Sequence, residues 1–337
     1  MLIEYTKFYY QALSEDKQRI YKKMYEGIKS RKRSIEIVAN KRNISGDDLF
    51  KIAEYVYNDT PSFYYLDATR FTFAETLLGY VYFPKYIESY SEDMIKKYDA
   101  ALEKGLKIFC SRYITPTMSD YDKIKVIHDY LVTTVTYDHE SLTGRVDRNG
   151  DPYNIIGPIL KKRAVCWGIA CAFKLLCDYC KVKSFVITGN AIPADGDAGH
   201  AWNIVKIDDK TYHIDATWDL RQKGDVSISY DYFNLDDKLI GKDHTWNKRF
   251  YPKCDEIKHN YYFKNQLFVK TLDQLSDFVA DRLSKKETFI AVKFANAWPS
   301  DKEIAKAIER GFLKARKYCT YSYSFSKGTN NVYVEIK

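Results

Sequence analysis

Between residues 166 and 215 the hydrophobic period changes once, and that change limits what the chain can fold into. From about Cys166 to Cys180, Phe173, Cys177 and Cys180 share a stripe at helical spacing. Beyond it the period is that of strands, over residues 184–188, 200–207 and 211–215, with Asp208-Asp209 as a two-residue turn between the last two. A helix followed by an antiparallel sheet predicts an α+β arrangement. The turn also predicts a register, because it pairs positions whose numbers sum to 417. His200 then lies opposite Thr217, and Asp215 projects from the same face as its diagonal neighbour.

The rest of the chain is organised around this segment. Residues 1–115 read as a helical to mixed N-terminal region, with residues 1–60 as helices. β-favouring runs follow at Phe63-Tyr64-Tyr65-Leu66 and Tyr80-Val81-Tyr82-Phe83, then a charged helix over residues 91–112. Residues 116–252 hold the central unit, opened by the capping signature Ser119-Asp120-Tyr121-Asp122 and a helix whose Ile124, Ile127, Leu131 and Val135 share a face. Residues 255–337 predict a small α+β domain in the order strand (261–269), helix, strand, helix and two short strands. The 337 residues, 45% hydrophobic and 16% aromatic, are ample for several buried cores.

Cys166 is expected at the start of its helix, where unpaired N–H groups and the positive dipole end favour a thiolate. Taken alone, a cysteine is more often a small buried hydrophobe. Its functional reading depends on a base, which His200 supplies, and on an orienting carboxylate, which Asp215 supplies from the same sheet face. His213 shares that face further down the strand and is the rival base; His128, on a helix, reads as structural. Seven cysteines, an odd number with four crowded into one helix, argue for reduced thiols rather than a disulfide framework. A zinc site built on Cys177 and Cys180 is disfavoured because Cys171 points away from them on a continuous helix.

Three short blocks carry a resemblance. Ala164-Val165-Cys166-Trp167-Gly168, Gly199-His200-Ala201-Trp202-Asn203 and Tyr212-His213-Ile214-Asp215-Ala216-Thr217-Trp218-Asp219 resemble, in order and spacing, the nucleophile, histidine and aspartate blocks of the transglutaminase-like superfamily, relatives of papain-type thiol proteases. The likeness covers Asn154 to Asp219 strongly, and the flanks resemble bacterial members. It implies a papain-like α+β core, a helix bearing the cysteine against an antiparallel sheet, and a triad of Cys166, His200 and Asp215. Trp167, Tyr153, Asn154 and Trp202 are the residues it suggests for substrate binding or the oxyanion, with the Cys166 backbone N–H as first donor and Tyr153 and Asn154 as candidates for the second.

The expected activity is attack on amide bonds of peptides or proteins through a thioester, resolved by water as a peptidase or amidase. Transfer to an amine, as in a transglutaminase, and a non-catalytic peptide-binding role on the same fold are the alternatives. No cofactor and no metal is implied. The surplus of 53 Lys and Arg over 45 Asp and Glu is spread along the chain, which argues against a nucleic-acid partner. No segment approaches the roughly 20 apolar residues of a membrane helix, and no signal-peptide stretch opens the chain, so a cytoplasmic location is expected. The oligomeric state is open.

Overall fold

The computed structural model describes residues 6–142, 150–192, 198–221 and 227–337. The chain begins with α1 (Phe8–Gln11), α2 (Glu15–Lys29), β1 (Ile35–Val38) and α3 (Gly46–Asp59), followed by the hairpin β2 (Leu66–Thr76) and β3 (Gly79–Tyr86). The strand β1 corrects the expectation of helices alone over residues 1–60. Its four residues are too few to register a period, and its pairing is non-local, Ile35 lying opposite Tyr82 in a sheet of order β1-β3-β2. Phe63, Tyr64 and Tyr65, expected in a strand, precede β2 in a turn and anchor it by burial. Ser45 caps α3 reciprocally with Asp48, so the helix starts where the sequence signals it.

Two helices lead to the central unit, α4 (Glu92–Tyr113) and α5 (Asp120–Thr134), the latter opened by the Ser119–Asp122 capping box. Short elements follow: β4 (Thr136–Tyr137), α6 (His139–Leu142), a 3-10 turn (Asp151–Tyr153), a π-helical turn (Gly157–Lys161) and β5 (Arg163–Ala164). Then come α7 (Cys166–Tyr179) and the strands β6 (Ser184–Ala191), β7 (Ala198–Ile207) and β8 (Lys210–Ile214); α8 (Asp237–Ile240) and β9 (His244–Trp246) complete the unit. The sheet is antiparallel throughout, in the order β8-β7-β6-β9. Asp208 and Asp209 both have positive φ, 49° and 62°, as a primed hairpin turn requires, and Asn203 stands opposite Ile214. One face of the sheet is covered by α7, whose Ala170 carbonyl accepts from the buried Asn203 side chain at 3.0 Å. Cys171, Cys177 and Cys180 are buried in this packing, and among the described residues no group of three metal-ligating side chains includes them.

The C-terminal portion has its own apolar cluster, built from α10 (Leu272–Ser284) and α11 (Asp301–Lys314) on a sheet of order β10-β11-β13-β12. Here α9 (Tyr261–Lys264) precedes β10 (Phe268–Val269), β11 (Phe289–Phe294), β12 (Tyr321–Ser326) and β13 (Asn331–Ile336). The continuous strand expected over residues 261–269 is thus mostly helix and turn. The Asn260 side chain accepts from the Tyr262 N–H, and this cap overrides the β-propensity of Tyr-Tyr-Phe.

This portion meets the central unit through a buried polar cluster. Asp231 accepts from the Tyr262 hydroxyl at 3.1 Å, Thr329 Oγ1 at 3.0 Å, Asn331 Nδ2 at 2.5 Å and the Tyr333 hydroxyl. Asp231→Ala would leave these buried donors without their acceptor, so a loss of about 3 kcal/mol is expected. Denaturant unfolding monitored on the full chain checks this, and a change under about 1 kcal/mol would show the cluster to be dispensable.

Candidate active site

Cys166 is the first residue of α7, and Val165 before it provides no side-chain cap, so the N–H groups of the first turn are not consumed by one. The approach is fixed by neighbours. Lys162 turns the chain in a left-handed conformation (φ 60°), and β5 then runs parallel to β4 with Ala164 beside Tyr137. A Cβ on Gly168 would meet the Pro152 carbonyl at 2.4 Å, so glycine lets the 151–154 segment lie against the first turn of α7.

His200 lies on β7, and the register places Asp215 just beyond the end of β8, on its diagonal. His200 Nε2 and Asp215 Oδ2 are 2.7 Å apart. The carboxylate is fully buried and its other oxygen accepts from the Thr217 and Trp218 N–H groups at 2.9 and 3.3 Å. Burial alone would raise the Asp215 carboxyl, but His200 and His244 outweigh it and hold it well below the usual carboxylate range. For His200 burial acts against the charged ring, and the Asp215 carboxylate and the neighbouring Cys166 thiol overcome it, raising its pKa to about 10. With Nε2 engaged by Asp215, Nδ1 is the ring nitrogen left for the thiol.

A second imidazole, which the sequence reading missed, shares the same carboxylate oxygen. His244 Nε2 lies 3.1 Å from Asp215 Oδ2 and its Nδ1 lies 2.6 Å from Asp243 Oδ1, while the Tyr232 hydroxyl donates to Asp243 at 2.7 Å. Despite burial, the two carboxylates raise the His244 pKa. β9 brings it there by pairing with β6, and Gly189 makes the pairing possible, since a Cβ would meet the Thr245 carbonyl at 2.0 Å. Nothing local in residues 244–246 signals this position.

The rival base is placed elsewhere. His213 Nδ1 accepts the Trp202 indole N–H at 3.1 Å, and an indole nitrogen only donates. The ring proton is therefore on Nε2, 2.9 Å from Asp237 Oδ1, which leaves no lone pair for a proton or for a metal shared with Cys254. Burial lowers the His213 pKa, consistent with a neutral ring. His128 is fully buried between Asp219 and Asp129, at 3.1 and 3.3 Å, and pins α5 to the segment after β8.

The residues named for substrate and oxyanion divide. Trp167 lines a cleft of about 490 Å³ that opens on Cys166 and His200, with its ring parallel to Tyr57 at 5.9 Å. Trp202 does not reach the cleft: it shares the His200 face of β7 and lies beside that ring at 5.8 Å, but it is 1% exposed and spends its N–H on His213 deeper in the core. Tyr153 and Asn154 line the cleft but have no donor to spare. The Tyr153 hydroxyl donates to the Ser141 carbonyl at 2.9 Å. The Asn154 amide is shared among the Tyr90 hydroxyl and the Gly150 and Tyr64 carbonyls. Tyr137 is the hydroxyl that does lie at the nucleophile. Burial, the Cys166 thiol and Asp215 push its pKa up, while its oxygen accepts from the Cys166 N–H. A two-residue strand put it there, too short to read from sequence.

Residues 109–216 match the family model described as the transglutaminase-like superfamily. Among curated proteins none matches this chain. Two solved structures are similar in part. One is a crystal structure of a TGase, at 15% identity over 50% of each chain with a TM-score of 0.33. The other is a candidate cysteine protease from Cytophaga hutchinsonii, at 14% identity over 44% of this chain and 61% of that one with a TM-score of 0.28. Among the described residues no helix is long and apolar enough to cross a membrane. The segment bearing the cysteine helix and the sheet with its histidine and aspartate is a transglutaminase-like core of mixed α+β build.

Proposed function

We propose that this chain is a thiol enzyme that attacks amide carbonyls of peptides or proteins through Cys166, forms a thioester and releases the acyl group to water. The observation that carries the reading is His200, held between the Asp215 carboxylate and the Cys166 thiol with its pKa raised to about 10. At neutral pH such a ring is an imidazolium, the acid that the departing amine needs.

The steps follow from these positions. The sulfur adds to the carbonyl carbon, and the oxyanion accepts the hydrogen bond of the Tyr137 hydroxyl as its side-chain donor, while that hydroxyl's oxygen keeps the Cys166 N–H. His200 Nδ1 delivers its proton to the departing amine as the C–N bond breaks, which leaves the thioester and a neutral imidazole. Water then attacks, His200 accepts its proton, and the C–S bond breaks to restore thiolate and imidazolium. Asp215 keeps the ring in the tautomer and orientation that both proton transfers need. Water needs no site to reach the thioester, whereas an amine must be bound and water kept out for transfer to compete.

The test mixes the protein with a glutamine-containing protein and a fluorescent primary amine, and separately with a peptide library. Peptide cleavage or amide release that depends on Cys166, without amine incorporation, is expected. Incorporation dependent on Cys166 would replace hydrolysis by acyl transfer. Peptide binding equal in wild type and Cys166→Ala with neither reaction would leave a non-catalytic binding protein.

A further inference from the structure

The cleft at Cys166 is walled on its far side by residues outside the transglutaminase-like segment. Ala53 and Asn58 of α3, Leu66 and Phe71 of β2, Tyr82 of β3 and Ile87 all line it. Its volume lies in the range of roughly 300–1,000 Å³ that encloses a small ligand, more than a scissile amide alone would fill. The N-terminal region therefore shapes what can approach the nucleophile.

One polar group in this wall is unexplained by the fold. Asn58 is 1% exposed, yet neither its Oδ1 nor its Nδ2 has a partner at hydrogen-bonding distance. Glu54 and the Tyr9 hydroxyl lie near enough for its amide to favour their charged forms, yet neither closes a well-formed hydrogen bond with it. Leaving both ends of a buried carboxamide without hydrogen bonds destabilises the fold, and such groups persist where a ligand completes them. The carboxamide offers one acceptor and donors side by side, the complement of a peptide group, which also carries one of each. Around it the wall is mainly aliphatic and aromatic, with the exposed Glu54, one turn earlier on α3, at its rim.

We infer that this wall is a side-chain subsite, in which a bulky aliphatic or aromatic residue next to the reacting carbonyl fills the space among Leu66, Phe71, Tyr82 and Ile87 while an adjacent substrate peptide group pairs with Asn58. The inference deepens the proposed thiol chemistry and takes its substrate position from it: the acyl group must enter from Cys166. The enzyme then selects apolar peptide segments, and the N-terminal region supplies that selectivity to a core that provides the chemistry.

The test uses covalent labelling of Cys166 by N-benzoyl dipeptide chloromethyl ketones, in which the sulfur displaces chloride. Rates are taken relative to iodoacetamide, which has no side chain or peptide to recognise. Reagents ending in Leu or Phe are expected to label the full-length protein at least roughly tenfold faster than those ending in Ser or Asp. Asn58→Leu, which removes the orphaned amide at similar volume, should cut the relative rate of the preferred reagents by about tenfold. Phe71→Ser, at the partly exposed edge, should flatten the Leu-to-Ser ratio. Equal rates for all reagents, or preferences unmoved by both variants, overturn the subsite. Labelling is independent of turnover, so an apolar preference without any amide cleavage would sink the proposed chemistry and leave the subsite standing.

Discussion

Replacing Cys166 by alanine is expected to lower amide-bond turnover by roughly a hundred-thousand- to a million-fold, the loss typical when the atom that bonds to substrate is removed. The fold should survive, because Cys166 is only partly buried and its neighbours are positioned by backbone contacts at β5 and Gly168. No other thiol is placed to substitute. Burial pushes the Cys171 thiol up to about 12 and raises Cys177 and Cys254 as well; Cys110, which Cys180 holds below the usual thiol range, lies 3.5 Å from Cys180 at the opposite end of α7, and Cys319 is exposed outside the cleft. Limiting iodoacetamide with peptide mapping should therefore label Cys166 first in the wild type, with Cys319 as the solvent-exposed reference. If Cys319 reacts as fast as Cys166 at neutral pH, the imidazolium does not activate the thiol. If turnover persists in Cys166→Ala, the nucleophile is elsewhere.

Asp215→Asn is expected to cost roughly a thousand- to ten-thousand-fold in kcat while leaving the fold in place. The wild-type carboxylate accepts on both oxygens, from two imidazoles on one and two backbone N–H groups on the other. Asparagine can keep the backbone side only by turning its NH2 toward His200 and His244, which sets donor against donor. His200 then either loses its Nε2 proton or turns away, and in both cases the thiol faces the wrong ring state. The pH dependence carries the sign. Because the His200 pKa is raised from 6.5 to about 10, the charged pair stabilises the fold fully below about 6.5 and progressively less as pH rises through about 10. In the wild type, turnover should fall on the alkaline side near that upper value, when the acid for the leaving amine is lost. In Asp215→Asn only the Cys166 thiol is left to oppose burial, so that limb should move to lower pH. An alkaline limb that does not move would mean that Asp215 does not hold the ring.

His244 changes how that variant is to be read. It shares Asp215 with His200, and its raised pKa means that the carboxylate sits between two rings that both favour the proton. Asp243 and the Tyr232 hydroxyl behind it complete a chain of polar groups, so that part of the effect of Asp215→Asn comes through a residue 29 positions further along.

The change of period after Cys180 and the Asp208-Asp209 turn are local properties, and they sufficed to determine the helix, the hairpin and its register. Register in turn decided that His200 and Asp215 would share a face, because side chains alternate with a period of two and a two-residue loop permits only one pairing. Capping boxes at Ser45 and Ser119 marked helix starts for the same reason, a hydrogen bond closed within three residues. What depended on distant segments was not legible. Tyr137 reaches Cys166 through two residues of parallel pairing, His244 reaches Asp215 through β9, and Asn58 and Phe71 reach the cleft from the N-terminal sheet and helix. Trp202, although in the histidine block, went to the core because its N–H found His213. Local periodicity determines which face a side chain takes. Which of the side chains on that face meet water, substrate or one another is decided by packing between segments far apart in sequence, whose contacts leave no periodic trace.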